Sequence, residues 1–270
     1  MTDTSRTPAP RILAIANQKG GVGKTTTTIN LGAALAEVGK RILLVDLDPQ
    51  GNASTGLGID QAARDITTYE LIAGDATPEE AIQTTNVENL WIIPATTDLS
   101  SADIELISNE KRSYLLRDAL RQTPMDSFGF EYILIDCPPS LNILTVNAMV
   151  AADGVVVPLQ SEFFALEGLS QLMLTIRDIR ETANKNLRIE GIALTMYDKR
   201  NNLSQQVEAD ARENLGELVF KTVIPRNVRL SEAPSFAAPV LTYDPTSKGS
   251  LAYRALAKEL LKNNEILRNG

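Results

Sequence analysis

Short, nearly continuous apolar runs recur along the chain, separated by longer stretches of mixed polarity. The runs fall at 11–16, 41–46, 90–93, 131–136, 154–159, 188–195 and 219–224, and each predicts a strand. Strands apolar on both sides suit a sheet covered on both faces rather than one facing water. Between them, helices are predicted over 24–38, 98–107, 111–122, 142–151, 165–184, 202–215 and 247–267. Gly39 is placed to end the first of these. Alternation of this kind predicts an α/β chain with a mostly parallel twisted sheet and helices on both faces. No linker rich in Pro, Gly or Ser divides it and no internal repeat is visible, so residues 11–270 read as a single domain. Residues 1–10 are polar and proline-containing and read as a flexible N-terminal tail.

The break after the first apolar run carries the most chemistry. Residues 19–26 read Lys-Gly-Gly-Val-Gly-Lys-Thr-Thr, between a predicted strand and a predicted helix, the context in which a glycine-rich phosphate-binding loop is credible. Gly20, Gly21 and Gly23 let successive backbone N–H groups turn toward one anion, and the helix N-terminus adds its partial positive charge. Lys24 supplies a point charge for the β- and γ-phosphates, and the Thr25 hydroxyl is placed to ligate Mg²⁺. Lys19 to Thr26, Val22 included, are thus the candidate nucleotide-binding residues. The pattern departs from the usual one at position 18, where Gln18 replaces glycine, and in the second lysine, Lys19. Ligands of open α/β sheets gather at the carboxyl ends of the strands, which brings in Asp46, Asp48 and Asp136. Asp46 and Asp48 alone would read as turn residues in Asp-Pro-Gln-Gly-Asn. Asp136 ends Ile-Leu-Ile-Asp, the Walker B form, suited to holding a water on Mg²⁺.

Lys-Gly-Gly-Val-Gly-Lys-Thr resembles the deviant Walker A motif of the ParA/MinD family of ATPases. Residues 43–52 (Leu-Leu-Val-Asp-Leu-Asp-Pro-Gln-Gly-Asn), 132–140, 195–198 (Thr-Met-Tyr-Asp) and 224–234 look like its partitioning branch, ParA or Soj, and the likeness covers residues 11 to 262. It implies a P-loop NTPase fold and Mg²⁺-dependent ATP hydrolysis. By this resemblance Asp48 contacts the attacking water and Asp46 lies near the metal's outer shell. Lys19 crosses a homodimer interface to the partner's nucleotide, where the residue alone would read as a solvated loop lysine. Two ATP molecules are then sandwiched between subunits. Met196, Pro225 and Asn227, with Thr195, flank the adenine, and the guanine-signalling Asn-Lys-X-Asp element is absent from 195–198. Positions matching Arg200 and Arg229 hold duplex DNA without sequence preference, with Lys199, Lys221 and Arg226 in the same stretches. Hydrolysis stimulated by a ParB-type partner releases the protein, segregating chromosome or plasmid origins, and the implied location is cytoplasmic and nucleoid-associated.

Composition limits the rivals. A net charge of −8 and a pI near 4.8 argue against nucleic acid if read globally, which leaves a merely solvated basic rim as the alternative. Charges beyond about 8–10 Å are screened at physiological salt, however, so a local patch can act. There is no histidine, which removes every mechanism that needs one. Cys137 is the single cysteine, which fits a reducing compartment and is one short of what a nitrogenase-type iron protein needs per subunit to bridge a cluster. No apolar run approaches a membrane span. A MinD-like ATPase positioning another cargo on a membrane or the nucleoid would end in a basic amphipathic helix. Here Leu251, Tyr253, Leu256, Leu260 and Leu261 fall at helical spacing better explained by packing on the sheet, so no stable membrane association is expected. A non-catalytic structural protein would not need Lys24, Thr25, Asp48 and Asp136 together.

Overall fold

The computed structural model describes residues 9–269 apart from 123, 124, 126, 163 and 164. Most of the predicted tail, residues 1–8, lies outside the described residues. Pro10, at its end, is buried and its carbonyl accepts a hydrogen bond from Arg121, so the domain begins before Arg11.

The apolar runs become the strands β1 (Arg11–Ile15), β2 (Ile42–Asp46), β4 (Leu90–Ile93), β5 (Tyr132–Asp136), β6 (Gly154–Gln160) and β7 (Arg188–Thr195), with a short β3 (Gln83–Thr84) added at one edge. They form one sheet in the order β3-β4-β2-β5-β1-β6-β7, parallel except for the β3–β4 pair. Alternate side chains point to opposite faces, and each face builds its own core. Leu13 and Ile15 join Leu44 and Leu134 under the helix α1 (Lys24–Glu37). Ile12 and Ala14 join Ile133 and Ile135 under Leu144 and Ala148 of the helix Ile143–Ala151. The first crossover, β1 to β2, and the later one, β5 to β6, leave the middle of the sheet in opposite directions and cover opposite faces. A crevice opens where they part, at the carboxyl ends of β1 and β5.

α1 packs tightly against the sheet because Gly32 faces it: a Cβ there would lie 2.9 Å from the Leu44 side chain. It ends as predicted, with Gly39 at φ +84 and its N–H donating to the Ala36 carbonyl. The helix Lys248–Asn269 closes the same face, burying Tyr253, Leu256 and Leu260. Three predicted elements differ. Residues 219–224 follow β7 but make only isolated bridges, because the Lys221 and Thr222 N–H groups donate to the Glu259 carboxylate (2.7 and 2.9 Å) instead of to the sheet. The predicted helix 98–107 is broken into two 3-10 turns around a short helix, Ala102–Glu105, with the Ser101 hydroxyl bonding back to the Asp98 carbonyl. The predicted helix 111–122 is helical over Leu115–Leu120, since Asn109 Oδ1 takes the Lys111 N–H and holds that end in a turn.

Candidate nucleotide site

The parallel register brings the acidic strand ends together. Asp136 is the register partner of both Ile15 and Asp46, so one carboxylate of β2 and one of β5 stand side by side below the glycine loop that follows β1. Gly21 and Gly23 take φ values of +75 and +88, and a Cβ at Gly20 or Gly21 would meet nothing within 4 Å, so the loop presents bare backbone to open space. Below it, the Lys19 N–H is fixed by Asn17 Oδ1 at 3.0 Å, while the Asn17 amide donates to the Pro158 carbonyl at 2.7 Å.

Lys24 starts α1 with its side chain folded back over the loop, Nζ donating to the Lys19 carbonyl at 3.1 Å. It is only 7% exposed, and burial lowers its pKa against the opposing pull of Asp136. Thr25 Oγ1 donates to Asp136 Oδ2 at 2.7 Å and Thr28 Oγ1 to Asp136 Oδ1 at 2.9 Å. Residues three apart on a helix share a face, so both hydroxyls reach the strand end from α1. Asp46 is wholly buried, with Oδ2 receiving the Ser54 N–H and hydroxyl (2.9 and 2.7 Å) and Oδ1 the Asp48 N–H at 3.3 Å. Asp48 caps its own turn, Oδ1 accepting from the Gln50 N–H at 3.0 Å and its carbonyl from the Gly51 N–H at 2.9 Å. Burial pushes the pKa values of both Asp46 and Asp136 upward, with the negative charge of Asp46 adding to the rise at Asp136 and that of Asp48 to the rise at Asp46. Hard oxygen donors, backbone N–H groups and one lysine facing a surplus of carboxylate suit a nucleoside phosphate carried with a small divalent cation.

A cavity of about 450 Å³ opens beside the loop, lined by Gly23, Thr26, Thr195, Met196, Pro225 and Asn227 among others. The predicted adenine-flanking residues therefore converge, although 224–234 lies far from the loop in sequence. Thr195 Oγ1 donates to the Val22 carbonyl at 2.8 Å and ties the end of β7 to the loop, while Met196 holds a left-handed φ of 51. The Tyr197 N–H donates to the Ile224 carbonyl and the Arg226 N–H to the Tyr197 carbonyl, so the two segments run together. Lys19 turns away from its own loop: Nζ pairs with Glu162 Oε2 at 3.1 Å on the surface.

The basic residues are less tightly gathered. Arg200 is 85% exposed and pairs with Asp198 at 3.1 Å, and Arg229 pairs with Glu232 at 2.8 Å and Asp244 at 3.2 Å. Lys199 and Arg226 belong to the same paired segments, whereas Lys221 sits lower, beside the middle of β7 and Glu259. Cys137, directly after Asp136, is buried, and burial pushes its thiol pKa up. Thr28, Ser54 and Asn17 were outside every predicted site. Only the threonine run 25–28, read at helical spacing, offered a hint of the first.

The AAA domain family matches residues 10–189. The chromosome partitioning protein ParA of Caulobacter vibrioides is 58% identical over 251 residues, covering 93% of this chain and 94% of its own. The sporulation initiation inhibitor protein Soj of Bacillus subtilis is 52% identical over 253 residues, covering 94% and 99%. The structure of a Mycobacterium smegmatis cobyrinic acid a,c-diamide synthase with bound ATP analog and magnesium superposes with a TM-score of 0.82 at 40% identity, covering 95% of this chain and 96% of that one. With the glycine loop, the paired strand-end carboxylates and likeness over nearly its whole length, the chain belongs to the ParA/Soj family of chromosome-partitioning ATPases.

Proposed function

We propose that this chain hydrolyses ATP with Mg²⁺ and uses the cycle to hold and release duplex DNA during partitioning. The observation that carries the reading is the convergence of Lys24 and of Thr25 with Asp136 beside a bare glycine loop, with Asp48 close enough to act on Lys24 and a base-sized cavity next to it. Lys24, already bent over the loop, offsets charge on the β- and γ-phosphates, and the loop N–H groups hold the same oxygens. Thr25 Oγ1 would ligate the metal and Asp136 would orient that hydroxyl and a water beside it, with Asp46 one strand further out shaping the Asp48 turn. When bound, Mg²⁺ neutralises charge across the phosphate oxygens. Asp48 orients the attacking water. Met196, Pro225 and Asn227 enclose the adenine.

Lys19 would leave Glu162 and reach the nucleotide of a second copy, supplying in trans the charge that an arginine finger gives other NTPases. An ATP-bound homodimer follows, and it doubles the rim carrying Lys199, Arg200, Lys221, Arg226 and Arg229. Several weak phosphate contacts then add up on non-specific DNA. A ParB-type partner would stimulate hydrolysis and release, and the site of action would be the nucleoid in the cytoplasm. Most of the apolar stripe of the helix Lys248–Asn269 supports this over a lipid-bound alternative, since Tyr253, Leu256 and Leu260 are spent on α1 and the sheet with Leu261 partly buried beside them. Leu251, expected among them, is instead exposed at the start of the helix. No helix of the described residues is long and apolar enough to cross a membrane.

The test is phosphate release from Mg-ATP with duplex DNA present. Wild type should turn over, and Asp48→Ala should bind ATP without releasing phosphate. Equal turnover in the two proteins would remove Asp48 from the site.

A further inference from the structure

Arg64 lies outside every motif, yet it holds the turn that carries Asp48. It follows the 3-10 turn Gln61–Ala63 and points back at the helix α2 (Asn52–Gly56). Its Nη1 donates to the carbonyl oxygens of Ala95 at 3.0 Å and Gly51 at 3.4 Å. Nη2 donates to Thr55 Oγ1 at 2.8 Å and to the Ile59 carbonyl at 2.7 Å, and Nε to that same carbonyl at 3.2 Å. The anchors lead to the site. Gly51 donates its N–H to the Asp48 carbonyl, and the Ala95 N–H donates to Ser54 Oγ, which bonds Asp46. Packing is close: Gly51 has φ +60, and a Cβ there would lie 2.5 Å from Arg64 Nη1.

We propose that Arg64 is a positioning residue for ATP hydrolysis, fixing the Asp48 turn against the end of β4 so that the carboxylate meets the attacking water in one geometry. This rests on the ATPase reading above. A five-residue helix has too few internal hydrogen bonds to hold its own place. A misplacement of about 1 Å at a group that orients water can cost about a hundredfold in rate. The planar guanidinium reaches the turn, the helix and the strand end at once, which the single ammonium of lysine cannot do. None of its hydrogen bonds involves the glycine loop or the residues lining the base-sized cavity, so nucleotide affinity should not depend on it.

The experiment compares wild type, Arg64→Lys, Arg64→Ala, Thr55→Val and, as the floor, Asp48→Ala. ATP affinity is measured by calorimetry, kcat and KM by phosphate release with duplex DNA, and Tm by calorimetric scan. Arg64→Lys, which keeps charge and stem, should lose at least about tenfold in kcat with ATP affinity within about twofold of wild type. Thr55→Val, which removes one acceptor of the fork, should lose less. A lowered Tm with wild-type kcat in Arg64→Lys would make the residue a structural brace only. Parallel loss of ATP affinity would assign it to the nucleotide pocket, and either result overturns the proposal. Wild-type turnover in Asp48→Ala would instead overturn the parent reading and the proposal with it.

Discussion

The ends of β1, β2 and β5 and the loops after β7 both carry charge at one edge of the sheet, but they are built on opposite plans. At the first, Asp46 and Asp136 are 0% exposed and each oxygen has a donor, from α1 for Asp136 and from α2 and the Asp48 N–H for Asp46. Their spacing comes from strand register, which no side-chain rotation can alter. At the second, Arg200 pairs with Asp198 two residues away, and the half-exposed Arg229 pairs with Glu232 three residues away and with Asp244. Exposed pairs of that kind are worth about 0–1 kcal/mol, so in the proposed DNA-binding role a phosphate would replace Asp198 or Glu232 at little cost. A site that must hold a reacting geometry is bonded on every side. The surface proposed to bind and release DNA is held by contacts that exchange.

Mutations should separate the two plans. The largest effect belongs to Lys24→Ala: removing the buried cation folded over the glycine loop should weaken ATP binding by about 3 kcal/mol, about a hundredfold or more, as read by isothermal titration, and abolish turnover. Asp48→Ala should come next, lowering phosphate release by about a hundredfold or more while ATP binding persists. With hydrolysis stopped, light scattering should find the dimer persisting with ATP. Replacing Arg200 and Arg229 together should leave ATP binding intact and weaken DNA binding alike across unrelated duplexes. The slope of log affinity against log salt should become shallower by about 3.6 for the dimer, counting one phosphate for each of its four arginines. The smallest effect should come from the link beneath the base cavity, where the Tyr253 hydroxyl meets Thr27 Oγ1 at 3.2 Å. Tyr253→Phe should cost about 1 kcal/mol and lower Tm by about 2–4 °C in a scan, with no change in DNA affinity.

The same contrast governs what the sequence reveals. β1, β2, β5 and β6 are apolar on both faces, so their runs are visible without any partner, and an acid closing such a run is conspicuous at Asp46 and Asp136. The glycine loop is legible because its geometry is local. What long-range contacts decide stays hidden. Residues 219–224 have a strand's composition, but Glu259, on another helix, takes the N–H groups that a ladder would use. The stretch 98–107 has helical apolar spacing, yet Ser101 and Thr96 bond locally around Asp98 and leave Ile104 and Ile107 exposed. Ser54 and Arg64 escape notice because neither belongs to a motif, and their importance lies in carbonyls and carboxylates brought close only by folding. Asp198 and Glu232, which face Arg200 and Arg229, are nearby in the chain, but such pairing cannot be told from a solvated face by sequence, and Asp244 reaches Arg229 only through folding.

The most direct test of the account is co-sedimentation of the wild-type protein with non-specific duplex DNA and, separately, with anionic liposomes, each with and without Mg-ATP. The protein should pellet with DNA only when ATP is present, and with liposomes in neither case. Equal pelleting with DNA in the absence of nucleotide, or ATP-dependent pelleting with liposomes instead, would contradict it.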